Sequence, residues 1–145
     1  MAKLTPSSAA QTVLCSEFTF EFADTMLDVN GVLKDFKTVG SNVFEPINLP
    51  PRAIVVGGEV VTETAVTGST AYNISVGDSV SATRYLGATD RTAAGRTALV
   101  PTGYVGTGEN LRVTVAPTVA ASTAGKVTVR VQYIMRDRWS ETVPN

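Results

Sequence analysis

The sequence predicts an all-β protein, a jelly-roll-like two-sheet β-sandwich preceded by an extended N-terminal arm. Three observations support this class. The 145 residues include 21 Val and 20 Thr, whose β-branched side chains fit a pleated sheet. Several segments alternate apolar and polar residues, which is the period of a half-buried strand. Finally, turn residues recur at short intervals, and no segment has the apolar period of a helix of three turns.

We divide the chain into an N-terminal arm of residues 1–14, a β-sandwich domain of residues 15–138 and a C-terminal tail of residues 139–145. The arm is polar and has no apolar period, as is common at chain termini. No stretch approaches the roughly 20 consecutive apolar residues that cross a bilayer. We therefore expect a cytosolically made protein without a membrane partner.

The first strand and hairpin are predicted by alternation and by one turn signal. The segment EFTFEF alternates strictly. Its inward residues are Phe18, Phe20 and Phe22, and its outward residues are Glu17, Thr19 and Glu21. Asn30-Gly31 between apolar residues predicts a β-hairpin. Residues 43–49 then predict a strand that contains Pro46. Because proline cannot donate to a ladder, this is an edge strand or a strand end.

A long strand is predicted from Ile54 to Val66. Pro50-Pro51 stiffens its entry, and Gly57-Gly58 lies in its middle. We interpret the glycine pair as a bulge or bend at which the strand turns a corner between the two sheets.

The second half of the chain continues the pattern. A strand reaches Val76, a hairpin follows around Gly77-Asp78, and residues 87–96 lack alternation and are predicted to form an exposed loop. Two further strands alternate clearly. Their inward residues are Leu111, Val113 and Val115 in the first, and Val127, Val129, Val131, Tyr133 and Met135 in the second. We expect this last face to pack against the phenylalanine strand or its neighbours.

The composition argues against catalysis. The chain has no histidine, which removes Ser-His-Asp and Cys-His arrangements and histidine-ligated metals. Cys15, the single cysteine, allows no intrachain disulfide or cysteine-based zinc site, and we predict that it is a small buried apolar residue. AASTAGKVT lacks the first glycine and the final Ser or Thr of a phosphate-binding loop. We expect no enzyme activity, no cofactor, no metal and no catalytic residue.

The net charge of −1 favours neither nucleic acid nor an anionic membrane as a partner. The charge is unevenly distributed, however. Residues 1–63 carry a net −4, whereas residues 64–145 carry a net +3. This asymmetry could orient docking between subunits, or it could be chance scatter on a solvated surface.

Three segments are candidates for a partner interface. The arm offers Lys3 and Leu4, or it is simply a disordered terminus. The predicted loop offers Asp90, Arg91 and Arg96, or it is merely a solvated loop. The third segment places a tryptophan among arginines, a composition enriched at interfaces, although the tryptophan could equally cap its own core. Its residues are Arg136, Arg138 and Trp139.

The segments FEPINLPPRAIVVGGEVVTETA, NISVGDSVSATRYLGATD, GRTALVPTG and GKVTVRVQYIMRDR together resemble the jelly-roll capsid decoration, or cement, proteins of tailed bacteriophages. The resemblance covers roughly residues 43–138. It implies a structural virion protein that binds the capsid outer surface as a homodimer or homotrimer and bridges neighbouring major capsid proteins. No active site comes with this family. The alternative is a phage fibre or a carbohydrate- or receptor-binding β-sandwich, for which exposed aromatic residues would be expected.

Overall fold

The computed structural model describes residues 12–136, which form ten β-strands and contain no helix, and so no helix suited to spanning a membrane. The strands are β1 (Leu14–Glu21), β2 (Thr25–Leu27), β3 (Leu33–Asp35), β4 (Asn42–Ile47), β5 (Ala53–Thr67), β6 (Ala71–Gly77), β7 (Leu86–Asp90), β8 (Gly95–Ala98), β9 (Leu111–Thr118) and β10 (Ala124–Met135).

Eight of these strands form two four-stranded antiparallel sheets. We call the sheet of order β1-β10-β5-β8 sheet I and the sheet of order β4-β9-β6-β7 sheet II. The pairs β1·β10, β4·β9, β5·β8 and β6·β7 are nested within one another along the chain. Nested pairs that alternate between two sheets describe a long hairpin rolled into a sandwich, which is the jelly roll. The predicted fold class is confirmed.

The core lies between the two sheets. Sheet I contributes inward residues such as Val60, Val127 and Val129, and sheet II contributes Ile74 and Val113, all almost inaccessible to solvent. A phenylalanine cluster closes one side of the sandwich. Its members, with ring centroids 4.2–6.1 Å apart, are Phe18, Phe20, Phe36 and Phe44.

The predicted alternation of the first and last strands is confirmed. Phe18 pairs with Val129 and Phe20 with Val127 in the β1·β10 ladder, so these side chains share the inner face of sheet I. Val127, Val129 and Val131 are fully buried, while Tyr133 and Met135 are half-buried against the core.

The Asn30-Gly31 turn joins β2 to β3 as predicted, and Gly31 has φ +76°, which suits a glycine. The strand that contains Pro46 is β4, at the edge of sheet II. The register of β4 against β9 shifts between Phe44 and Ile47, around the proline.

The glycine pair does form a bulge, but the predicted corner between two sheets is wrong. β5 pairs with β10 along its whole length and stays in sheet I. Tyr133 faces Val55 and the preceding Gln132 faces Gly57, so Val56 is the additional residue of the bulge. The bulge reverses the alternation. The buried residues are odd-numbered before it (Ala53 and Val55) and even-numbered after it (Val60 and Thr62).

Two further expectations are wrong. Residues 87–96 are not a single exposed loop, because they lie within β7 and β8 apart from a short connection at 91–94. Both are edge strands with small residues, so side-chain alternation did not reveal them. Cys15 is exposed rather than buried, since it shares the outward parity of Glu17 and Thr19 on β1.

Candidate interaction surfaces

The sandwich has two ends with different loops. At one end, which we call the terminal end, Leu14 pairs with Tyr133 and Met135 pairs with Ala53, so the described chain begins and ends there. The connections 48–52, 78–85 and 99–110 lie at this end. The opposite end, which we call the hairpin end, carries the connection 22–41 with the β2–β3 hairpin, and the shorter connections 68–70, 91–94 and 119–123.

The predicted interface residues do not form one surface. Lys3, Leu4, Arg138 and Trp139 lie outside the described residues. Arg136 is exposed at the terminal end, where its backbone N–H donates to Arg52 O over 2.9 Å. Asp90, Arg91 and Arg96 lie at the other end, around the connection between β7 and β8. The structure therefore separates Arg136 from the other three.

Arg91 is buried, with 7% of its surface exposed, and its contacts are internal. Its guanidinium donates to the hydroxyls of Thr62 (3.3 Å) and Thr97 (2.5 Å) and to the carbonyl of Gly95 (2.5 Å). These bonds attach the β7–β8 connection to β5 and β8. In the isolated chain Arg91 thus supports the fold, and its interface role stays a prediction.

Asp90 organises the same connection. Its carboxylate accepts hydrogen bonds from the backbone N–H groups of Tyr72 (3.0 Å) and Thr92 (3.1 Å), and from the Thr92 hydroxyl. The bond from the Tyr72 N–H is the main cause that lowers the pKa of Asp90. Asp90 is therefore charged at neutral pH and links β7 to β6.

Arg96 belongs to a row of alternating charges that crosses the outer face of sheet I. Glu17 of β1 pairs with Arg130 of β10 (2.5 Å), Arg130 pairs with Glu59 of β5 (2.9 Å), and Glu59 pairs with Arg96 of β8. We call these four residues the charge row. Hydrogen bonds from its two arginines lower the pKa of Glu59, and the bond from Arg96 has the larger effect.

Ion pairs between strands account for much of the uneven charge along the sequence. Five of the six ion pairs within residues 12–136 join an acid of the first 63 residues to a base of the remainder. The nested topology brings the two halves together as adjacent antiparallel strands, so their opposite charges meet inside one chain. The asymmetry thus serves the fold, and its role in docking between subunits stays a prediction.

At the terminal end, polar contacts join two of the loops. Asp78 accepts from the backbone N–H groups of Val80 and Ser81 and forms an ion pair with Arg84. The guanidinium carbon of Arg84 lies 3.7 Å from the centroid of the Tyr104 ring. Because Tyr104 belongs to the connection 99–110, this cation–π contact fixes one loop against the other.

Glu109 organises the connection 99–110 from within. Its carboxylate accepts from Thr107 Oγ1 (2.6 Å), from the Thr107 N–H (2.7 Å) and from Tyr104 Oη (2.9 Å). These bonds, led by the Thr107 hydroxyl, lower the pKa of Glu109 to about 2. The loops of the terminal end are therefore pre-organised around charged groups that stay ionised at neutral pH.

The β2–β3 hairpin carries the main group of exposed apolar residues. Leu27 is 57% exposed and Leu33 is 63% exposed, and they face each other in the β2·β3 ladder. Val29 and Val32 of the turn are also exposed. Four of the ten large exposed apolar side chains in the described part of the chain thus lie within residues 27–33. Sequence reasoning found the hairpin but not this surface, because alternation cannot tell an outward leucine from an inward one.

The described surface has two notable depressions, and one of about 430 Å³ is lined by Phe18, Phe20, Phe36 and neighbouring residues of 19–26. The other, of about 170 Å³, lies over the charge row, lined by Glu59, Arg96, Arg130 and neighbours, whose charges already pair with one another. Within residues 12–136, no group of three acidic, cysteine or histidine side chains could hold a metal ion.

No protein-family model matches the chain, and no curated protein matches it. Its fold is similar to those of chains in three solved capsid structures. The capsid asymmetric unit of cyanophage Pam1 matches with a TM-score of 0.62 and 23% identity over 93% of both chains. The acid-stable capsid of Helicobacter pylori bacteriophage KHP30 matches with a TM-score of 0.60 and 18% identity, over 86% of this chain and 90% of that one. The capsid of Ralstonia phage GP4 matches with a TM-score of 0.57 and 15% identity, over 92% and 91%. The chain therefore has the jelly-roll fold of proteins found in phage capsids.

Proposed function

We propose that the chain is a structural virion protein that binds the outside of a phage capsid, bridges neighbouring major capsid proteins and stabilises the head. The observation that carries this proposal is the fold. A ten-strand jelly roll with an inserted hairpin is similar over roughly nine-tenths of its length to chains from three phage capsids. Fold alone does not define function, so the surfaces of the described residues must supply the rest of the argument.

Those surfaces suit a protein that docks rather than one that encloses a substrate. The loops of the terminal end are fixed by Asp78, Arg84, Tyr104 and Glu109 before any partner binds. Pre-organised loops lose little conformational entropy on association, which favours a firm attachment. The exposed apolar hairpin adds a second contact surface.

The partners that we propose are the major capsid protein and further copies of this chain, as a dimer or trimer. The described chain begins and ends at the terminal end, beside the pre-organised loops. We propose that residues 1–14 and the segment with Trp139 make further contacts to a neighbour. The proposed site of action is the virion, on the outer face of its shell.

The alternative of a fibre or carbohydrate-binding module finds no specific support. Such a module needs aromatic rings on an accessible sheet face, whereas every Phe and Tyr of the described residues is buried or half-buried. Tyr104, one of the half-buried rings, is covered by Arg84.

Binding to the shell can be tested directly. We expect the purified full chain, added to heads that lack it, to bind at saturable, symmetry-related positions, seen as outer-surface density in an electron-microscopy map. A bound fraction that never saturates, or density confined to the tail or its fibres, would overturn the proposal.

A further inference from the structure

The free edge of β1 differs from the other three edges of the sandwich. β1 pairs with β10 residue by residue from Leu14 to Glu21, without a register shift. Of the other edge strands, β4 contains Pro46, β7 has a register shift, and β8 has only four residues. Such interruptions normally protect a sheet edge from the addition of another strand. The edge of β1 lacks them.

Backbone hydrogen bonds at the end of β1 show which groups face this edge. The Phe22 N–H donates to Gly125 O, on the side of β10, over 3.1 Å. The preceding Glu21 points the other way, because its N–H donates to the Asp24 carboxylate (2.8 Å) and its carbonyl accepts from the Asp24 N–H (3.1 Å). Asp24 thus closes the edge at Glu21.

Three earlier residues of β1 have backbone groups that face the edge. N–H and C=O groups alternate between the two sides of a strand, so those of Cys15, Glu17 and Thr19 share the direction of Glu21. In the described part of the chain β10 is the one strand that pairs with β1, so no strand pairs with these groups. The depression of about 430 Å³ borders the same edge, where Phe18 is only half-buried.

The arm has a pattern that matches this edge. Its segment AKLTPS has polar residues with a backbone N–H at three odd-numbered positions, Lys3, Thr5 and Ser7. If these three form the backbone hydrogen bonds, the N–H that Pro6 lacks is not needed, because position 6 points away from β1. Leu4 then shares the inner face with Phe18.

One register uses all three positions of β1. In an antiparallel pair it places Lys3 opposite Thr19, Thr5 opposite Glu17 and Ser7 opposite Cys15. Within one chain this register would set residue 10 opposite residue 12. Gln11 alone would then form the turn, whereas the tightest common hairpin loop has about two residues. The arm in this register must therefore come from a second copy.

The charges are complementary in this register. The arm contains one base, Lys3, and no acid. The outer face of β1 carries Glu17 and Glu21, and Glu21 forms no ion pair in the described part of the chain. Opposite Thr19, the lysine lies diagonal to both glutamates, which is within reach of a long side chain.

We propose that residues 2–7 of a second copy add to the free edge of β1 as an antiparallel strand. Leu4 of that copy covers Phe18 at the depression, and the added strand ends where Asp24 closes the edge. The inference rests on the self-association part of the proposed function and not on capsid binding.

Ser7 and Cys15 allow a direct test, because opposed residues of an antiparallel pair have Cα atoms about 5.5 Å apart, within the range of a disulfide. A chain with Ser7→Cys and Cys15→Ser is co-expressed with a tagged wild-type chain, and the purified mixture is oxidised. We expect a covalent heterodimer whose disulfide joins position 7 to Cys15 in peptide mass mapping. Ser8→Cys with Cys15→Ser is the matched control, because adjacent strand residues point to opposite faces.

The control should give at least about 10-fold less heterodimer than the position-7 chain. Cys15 is exposed, so its replacement should leave the melting temperature unchanged. The absence of a 7–15 heterodimer, or equal yields from both chains, would overturn the inference. The wild-type chain is also tested for binding to heads. Binding without the cross-link would leave the proposed function standing, whereas a cross-link without binding would leave the strand addition standing and overturn the capsid role.

Discussion

At the residue scale, the structure explains why glycines interrupt the longest strand. Gly58 has φ +137°, a conformation that residues with a side chain rarely adopt. A Cβ atom at this position would lie 2.3 Å from Arg130 O and 3.0 Å from the Leu99 side chain. The neighbouring Gly57 faces Gln132 across the bulge. The glycine pair thus allows β5 to contain one additional residue. As a result, odd-numbered residues face the core before the bulge and even-numbered residues face it afterwards.

Replacing Gly58 with alanine should destabilise the domain by about 3 kcal/mol or more, because both backbone strain and a backbone clash result. Gly87→Ala is the matched control, since a Cβ at this glycine of β7 meets nothing within 4 Å. We expect the control to unfold within about 0.5 kcal/mol of the wild type in urea. Equal midpoints for the two variants would contradict this account of the bulge.

The burial of individual residues was predictable where residue type and strand alternation indicated the same face. Strict alternation located Phe20, Val127 and Val129 in the core. The residue type of Cys15 predicts burial, but Cys15 is exposed because it lies at an outward-facing position of β1. The burial of Arg91 could not be predicted, because it depends on hydroxyls of β5 and β8 that are adjacent only in the folded chain.

At the element scale, the charge row connects all four strands of sheet I. Each of its ion pairs joins two different strands, and they are partly exposed, so each contributes modestly. Glu59 is the central member because it contacts both arginines and is only 20% exposed. Its pKa lies below the usual 4.5, so its ion pairs stabilise the fold above that pH.

We expect Glu59→Gln to lower the Tm by about 1–4 °C at pH 7. Because the pKa of Glu59 is lowered on folding, its contribution is lost as the pH falls through the folded-state value. The difference in Tm between the wild type and Glu59→Gln should therefore shrink as the pH falls below the usual carboxyl pKa of 4.5. Glu21→Gln serves as the control, since Glu21 of β1 lies on the same outer face of sheet I but forms no ion pair within residues 12–136. A difference that is unchanged at acid pH would contradict the assignment.

The elements that sequence reasoning identified are those whose side chains alternate or whose turns have a distinctive residue. The strand around Val129, the edge strand with Pro46 and the Asn30-Gly31 hairpin all belong to this group. β7 and β8 were missed because edge strands of Gly, Ala and Thr are held by backbone pairing, and no side-chain period marks them.

At the scale of the whole molecule, the nested strand pairing determines which residues meet. It joins the acid-rich first half to the base-rich second half, and it places the ends of the described chain beside the loops 78–85 and 99–110. No local sequence signal predicts which strands pair, because the paired strands are separated by long and different lengths of chain. The sequence predicted a jelly-roll-like sandwich, yet it could not predict that the hairpin would present an apolar surface while the sheet face neutralised its own charges.

The proposed function concerns the particle rather than a small molecule. A protein that bridges neighbouring capsid subunits binds the assembled shell and not the separated subunits, so it stabilises the shell by mass action. Many equivalent sites on one head then act together, and a modest free energy per site gives a large total effect.

The most direct measurement is the temperature at which DNA-filled heads release their DNA, followed with a DNA-binding dye. We expect heads that lack this protein to release DNA at a lower temperature than complete heads, and re-addition of the purified chain to restore the higher value. Gly87→Ala should restore it as well as the wild type does. Equal release temperatures for bare and coated heads, with binding confirmed on the coated ones, would contradict the stabilising role.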